Sequence, residues 1–126
     1  LSLLRKDLQG GLNMAKMKKT TRITREKNRL FEIFADLEPN KLSTCSALID
    51  RAAFITVSLE DLEEQLNNTG WVEEYANGKH QNCLKTSAAA QAHISLTKNL
   101  TSITKQLLDL VPPAQKKSKL AELSQR

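Results

Sequence analysis

The longest hydrophobic pattern in the chain runs from about Leu42 to Asn67. Cys45, Leu48, Ala52, Ile55, Leu59, Leu62 and Leu66 recur at spacings of three and four, the period of one helix face and, sustained this far, a heptad-like seam. Up to Val57 the apolar surface widens, because Leu42, Ile49, Ala53, Phe54 and Val57 fall beside the seam. After Ser58 the positions beside it are mostly Glu60, Asp61, Glu63 and Glu64. The first half is therefore expected to be buried by several neighbours and the second half by one. Asn68 and Gly70 are helix-ending residues. A second seam follows in Ala89, His93, Leu96, Leu100, Ile103, Leu107 and Leu110. It predicts a helix from near Ser87 to Val111, before Pro112-Pro113. Each helix of about 25 residues would be about 38 Å long. Two such helices joined by a compact connection make an antiparallel hairpin.

Shorter patterns flank the hairpin. Ile23, Leu30, Phe31, Ile33, Phe34 and Leu37 predict a helix that ends before Pro39, with Thr21 or Thr24 as its cap. "EPNK" (Glu38 to Lys41) reads as a break, since proline disfavours helix in the residue before it. Between the seams, "WVEEY" and "ANGK" read as strand, tight turn and returning strand, because Asn-Gly tolerates positive φ. A lone two-stranded hairpin is marginal in water, so Trp71, Val72 and Tyr75 are expected to pack on the helix ends. The tail "AQKKSKLAELSQR" has little to bury and is expected to be flexible or a short terminal helix. The predicted fold is all-α: a long antiparallel helical hairpin preceded by a shorter helix, with a small β-hairpin-like connector. Residues 1–22 read as a flexible basic arm, 23–111 as a helical oligomerisation domain and 112–126 as a flexible tail.

A length of 126 residues bounds this to one domain. No apolar run approaches the roughly 20 residues of a membrane span, and the opening "LSLLRKDLQGG" lacks the continuous apolar stretch of a signal peptide. With Met14 and Met17 as natural starts, residues 1–13 read as upstream or vector-derived sequence. Cys45 and Cys83 have no metal-type spacing and read as reduced thiols in a cytosol. "NNT" and "NLT" match the glycosylation pattern, which needs secretion and is set aside.

Charge changes the picture more. Residues 1–29 hold nine Lys/Arg and two acids, net +7; residues 30–126 hold ten and twelve, net −2. The chain is a basic arm on a mildly acidic body. Lys16, Lys18, Lys19, Arg22, Arg25, Lys27 and Arg29 are candidate phosphate contacts, which release counterions and give salt-sensitive binding with little base specificity. The arm has no aromatic residue, which argues against stacking on single strands. The bland alternative is a solubilising tail.

Candidate chemistry elsewhere is thin. Gly10-Gly11, Gly70 and Gly78 match no phosphate-binding loop, and His80 with Cys83 is far short of a four-ligand zinc site. His93 lies on a seam and reads as a hydrogen-bonded interface histidine. The acids of "LEDLEEQL" read as a solvated or paired face. No nucleophile, base and orienting group stand in a defensible set, so no enzyme, metal or cofactor is expected.

Two helices cannot enclose a core. Ile49, Phe54, Val57, Ile94 and Leu108 lie off the seams, and the first helix can cover only some of them. Self-association is the economical solution, and a head-to-tail contact that closes makes a ring. The residues expected in the core and between copies are Leu48, Ile49, Ile55, Val57, Leu59, Leu62, Leu96, Leu100, Ile103 and Leu107. The alternative is a monomeric three-helix domain.

The residues from Leu48 to Asn82, with Leu96 to Pro112, resemble a phage terminase small subunit of the P27-like group. The shared features are Arg51-Ala52-Ala53, the acidic Leu-rich stretch Glu60 to Leu66, Gly70-Trp71, Tyr75 to Gly78, Gln81, and Lys105 to Leu108. The resemblance covers about residues 40–112. It departs at Cys83 to Ser87, where relatives often have Gly and then Pro at the helix start. It implies a non-catalytic ring of about eight to ten copies that binds viral double-stranded DNA to start genome packaging. It also implies delivery to a large subunit carrying the ATPase and nuclease, in the host bacterial cytoplasm. The quoted connector is then structural. A different class remains: a small helical regulator or adaptor that binds protein and not DNA. Leu30 to Asp50 has a helix-turn-helix look, but the second helix is too long for a compact reader.

Overall fold

A computed structural model of the chain describes residues 17–76 and 82–125. Helix α1 spans Lys19–Ile33 and α2 spans Pro39–Thr69. Strands β1 (Val72–Ala76) and β2 (Asn82–Thr86) follow, then α3 (Ala88–Asp109), a 3-10 turn (Pro113–Gln115) and α4 (Lys116–Ser124). The architecture is predominantly helical with one small antiparallel sheet, as the hydrophobic periods predict.

Local chemistry sets the ends. Pro39 occupies the first turn of α2, where the missing N–H would be unsatisfied anyway and φ is already helical. "EPNK" is therefore the start of α2 and not a gap, and the helix is 31 residues long. At its other end Gly70 takes φ 81° and donates its N–H to the Leu66 carbonyl at 2.8 Å, a left-handed closure that favours glycine. Ser87 caps α3, its hydroxyl accepting from the Ala90 N–H at 3.1 Å. Helix α3 starts where the seam predicts.

Both α1 and α3 run antiparallel to α2. Arg22 near the start of α1 meets Asp61, and Lys27 meets Asp50. His93 near the start of α3 lies beside Glu63, and Lys41 at the start of α2 reaches the Leu110 carbonyl at 3.4 Å. Ala52 and Ala53 are buried between these partners; their small side chains let both helices approach closely. The main core joins Leu30, Phe34 and Leu37 with Cys45, Ile49, Ala52, Ala53, Leu107 and Val111.

The seams pack inward, though unevenly. Ile55, Leu59 and Leu66 are buried and Leu48 and Leu62 half-buried; of the α3 seam only Leu107 is buried, with Leu96, Leu100 and Ile103 half-buried, while Ala90 is buried beside the seam. One expectation is corrected here. Ile49 and Val57 were expected to need a second copy, yet they are 0% and 1% exposed within one chain. For Ile49 the reason is the register of α1, whose Leu30 and Phe34 share one core with it; for Val57 it is the start of α1 at Lys19, four residues before the expected Ile23, which carries the helix along α2 as far as Asp61. Phe54 and Ile94, from the same expectation, stay about half exposed at 51% and 46%.

Of the two expectations for the tail, the short terminal helix is the one found. Residues 116–124 form α4, held by polar contacts more than by burial. Lys119 donates to the Ile33 carbonyl at 2.6 Å and pairs with Asp36 at 3.0 Å. Arg29 donates to the Glu122 and Leu123 carbonyls at 3.4 and 3.5 Å. Leu123 packs against the core, although no α4 residue is itself buried.

The sheet pairs Val72 with Thr86, Glu73 with Lys85, Glu74 with Leu84, Tyr75 with Cys83 and Ala76 with Asn82. The expected Asn77-Gly78 turn and His80 lie outside the described residues. Trp71, Val72 and Tyr75 do not bury themselves on the helix ends: they are 47%, 58% and 39% exposed. Trp71 only sets its edge against the His93 ring, centroids 5.2 Å apart. By length and composition α2 is apolar enough to cross a membrane, with a window of mean hydropathy 1.3, of which 44% is buried in the fold.

Candidate nucleic-acid interface

The seven arm cations do not form one uniform surface. Lys16 lies outside the described residues. Lys18 precedes the first turn of α1, and Lys19 lies over the Phe54 ring at 4.9 Å. That contact is a cation–π pair at an exposed site, and the ammonium keeps access to solvent. No acid occupies the first turn of α1, so the positive end of the helix dipole adds to these two lysines instead of being neutralised. Arg25 is exposed one turn further on.

Arg22, Lys27 and Arg29 make defined contacts with carboxylates of the chain. Arg22 is bonded to Asp61 at 2.5 Å and lies 3.8 Å from Glu60. Lys27 pairs with Asp50 at 3.4 Å across a half-exposed flank. Arg29 holds the buried Glu26 carboxylate through Nε and Nη2, at 3.0 and 2.8 Å, while its other donors reach the end of α4. Arg29 is thus a structural clamp. The sequence groups it with the other basic residues of the arm, and nothing in the polar pattern announces that Glu26 is buried.

A cleft of about 380 Å³ opens between α1, α2 and α3. Its floor includes Leu30, Ala52, Leu59, Leu100 and Leu107, its rim carries Glu26, Arg29, Glu60 and Glu63, and Leu120 and Leu123 of α4 close one end. Two of its carboxylates are met by cations: Arg29 holds Glu26, and Arg22 lies 3.8 Å from Glu60. Lys18, Lys19 and Arg25 are the exposed cations of α1 among the seven.

Other candidates fall into place as structure. His93 Nε2 lies 3.7 Å from Glu63, too long for a hydrogen bond and an ion pair only when the ring is protonated. Burial raises the Cys45 thiol above its ordinary pKa, which makes it a poor nucleophile. Among the described residues no three His, Cys, Asp or Glu side chains converge as metal ligands. No protein-family model, no curated protein and no solved structure matches the chain.

Proposed function

We propose that the chain is a small terminase subunit. In this reading it assembles into a closed ring, binds viral double-stranded DNA to initiate genome packaging, and delivers it to a large ATPase and nuclease subunit in the host bacterial cytoplasm. The chain itself has no catalytic role. The observation that carries the reading is the exposed cationic edge of α1, Lys18, Lys19 and Arg25, beside an uncompensated helix start. The linked motifs from Arg51 to Leu108 support it from the sequence side. A ring would repeat this edge in every copy, and repetition turns a weak contact into an avid one.

The test is duplex DNA binding at two salt concentrations by a Lys18→Gln/Lys19→Gln/Arg25→Gln variant. Removing three phosphate contacts per copy would flatten the log–log salt slope by up to about 2.7 per copy and weaken binding; the native mass of the variant, read alongside, separates lost DNA contact from lost assembly, since Lys19 lies over Phe54. Full-strength binding by this variant refutes the α1 edge as the contact. A second reading, a helical adaptor that never touches DNA, is favoured by one observation: Arg22, Lys27 and Arg29 are already committed to carboxylates of the same chain. A monomer or dimer inert to DNA at low salt decides for the adaptor.

A further inference from the structure

Two surfaces of the chain are incompletely covered within it. The first is the third side of α2. One side of this helix is covered through Ile49, Ala53 and Val57, and another faces α3 through Ile55, Leu59 and Leu66. Ala47, Arg51 and Phe54, at spacings of four and three, form a third side on which all three are exposed; α1 reaches it through Lys19 Nζ, 4.9 Å over the Phe54 ring. Arg51 has no ion-pair partner among the described residues, and Phe54 is 51% exposed. Less than half of the apolar window of α2 is buried, so the helix is more hydrophobic than its own fold requires.

The second is one face of the β-hairpin. Partners in an antiparallel ladder point to the same side and neighbours alternate. Val72, Glu74, Leu84 and Thr86 therefore share a face, and Glu73, Tyr75, Cys83 and Lys85 share the other. The latter is satisfied locally: Lys85 pairs with Glu73 at 3.3 Å and lies over the Tyr75 ring at 5.2 Å. The former is not. Val72 and Leu84 are 58% and 69% exposed, and Glu74, directly opposite Leu84, has no ion-pair partner among the described residues.

These two surfaces are complementary: one has a carboxylate between two aliphatic side chains, the other a guanidinium beside an exposed aromatic ring and a small residue. They cannot meet within one chain, since Arg51 lies about 27 Å along α2 from its end at Thr69. We infer that the Val72–Glu74–Leu84 face of one copy docks on the Ala47–Arg51–Phe54 side of the next, with Glu74 pairing with Arg51. This rests on the ring reading and names its interface. The contact joins two different surfaces, so it is head-to-tail and can close into a ring. It also supplies the support that a two-stranded hairpin needs. Because the hairpin projects beyond the end of α2 and its target lies midway along the neighbour, the long axes must be inclined to the ring axis.

The experiment is a charge-swap cycle on the full chain, read by native mass spectrometry and sedimentation, with circular dichroism to verify helix content. Arg51→Glu and Glu74→Arg each break the assembly down towards 14.1 kDa subunits, and the double variant restores it. Phe54→Ala and Leu84→Ser weaken assembly without charge change. If wild type is oligomeric and both single variants keep its mass, this interface is wrong while the ring stands. If the double variant fails to restore what the singles lose, the pairing is wrong. If wild type is a monomer at all concentrations, the ring reading falls, and this inference with it.

Discussion

Ile49→Ala isolates the most consequential feature of the packing. Ile49 has no exposed surface in a single chain and belongs to the core shared by α1, α2 and the end of α3. The substitution removes three carbons, about 2.4 kcal/mol of transfer free energy at roughly 0.8 kcal/mol per methylene. A residual cavity between Phe34, Ala53 and Leu107 adds to this, for a total of about 3–4 kcal/mol, within the usual 2–5 for such changes. Against a stability of the order of 5–15 kcal/mol for a small domain, that is a large fraction. The assay is urea denaturation of wild type and variant at low and high protein concentration. The same loss at both concentrations is expected, because the contact is made inside one chain. A loss below about 1 kcal/mol, or one seen only where copies associate, would refute the placement of Ile49 beneath α1.

Other outcomes follow from single groups. Leu59→Glu puts a charge where Leu59 is 7% exposed and costs several kcal/mol; Leu100→Glu, half-buried at the cleft, costs less, and equal thermal stability for Leu59→Glu and wild type would contradict the seam. Ser58 has a buried hydroxyl with no hydrogen-bond partner among the described residues, so Ser58→Ala raises stability by about 1 kcal/mol, and a fall in Tm argues for an unseen partner. The Asp36 carboxyl is held below its ordinary value, chiefly by the hydrogen bond from Lys119. A depressed carboxylate stabilises above the unfolded value and loses that contribution as pH falls through the folded one. Protection of α4 amides from exchange therefore drops in acid, and in Asp36→Asn that part of the pH dependence disappears. Thiol titration at mildly alkaline pH labels half-exposed Cys83 first and Cys45 only on unfolding; labelling of Cys45 in the folded protein would mean that α1 opens readily.

The sequence made the helical hairpin legible because a long seam of period three and four has few alternatives, and because Ser87 and Gly70 mark its inner ends chemically. It misplaced Pro39 since a proline is both a helix breaker and a favoured first-turn residue; only the partners of the following helix decide which. The extent of α1 was hidden for a different reason: Lys19 to Arg22 has no apolar face of its own and is helical because Arg22 finds Asp61. The docking of α4 left even less trace, since Lys119 and Arg29 bind backbone carbonyls, which no side-chain pattern encodes. The cationic edge was visible as composition. That Arg22, Lys27 and Arg29 are committed internally was not, because their acids lie far away in the chain or, for Glu26, look exposed by spacing.

The most direct test of the account is the native mass spectrum of the wild-type protein at near-physiological ionic strength. The account predicts one dominant closed species at an integer multiple of the 14.1 kDa chain, in the range of about eight to ten copies expected of a ring. A spectrum of monomers, or an open ladder of every copy number, would contradict it.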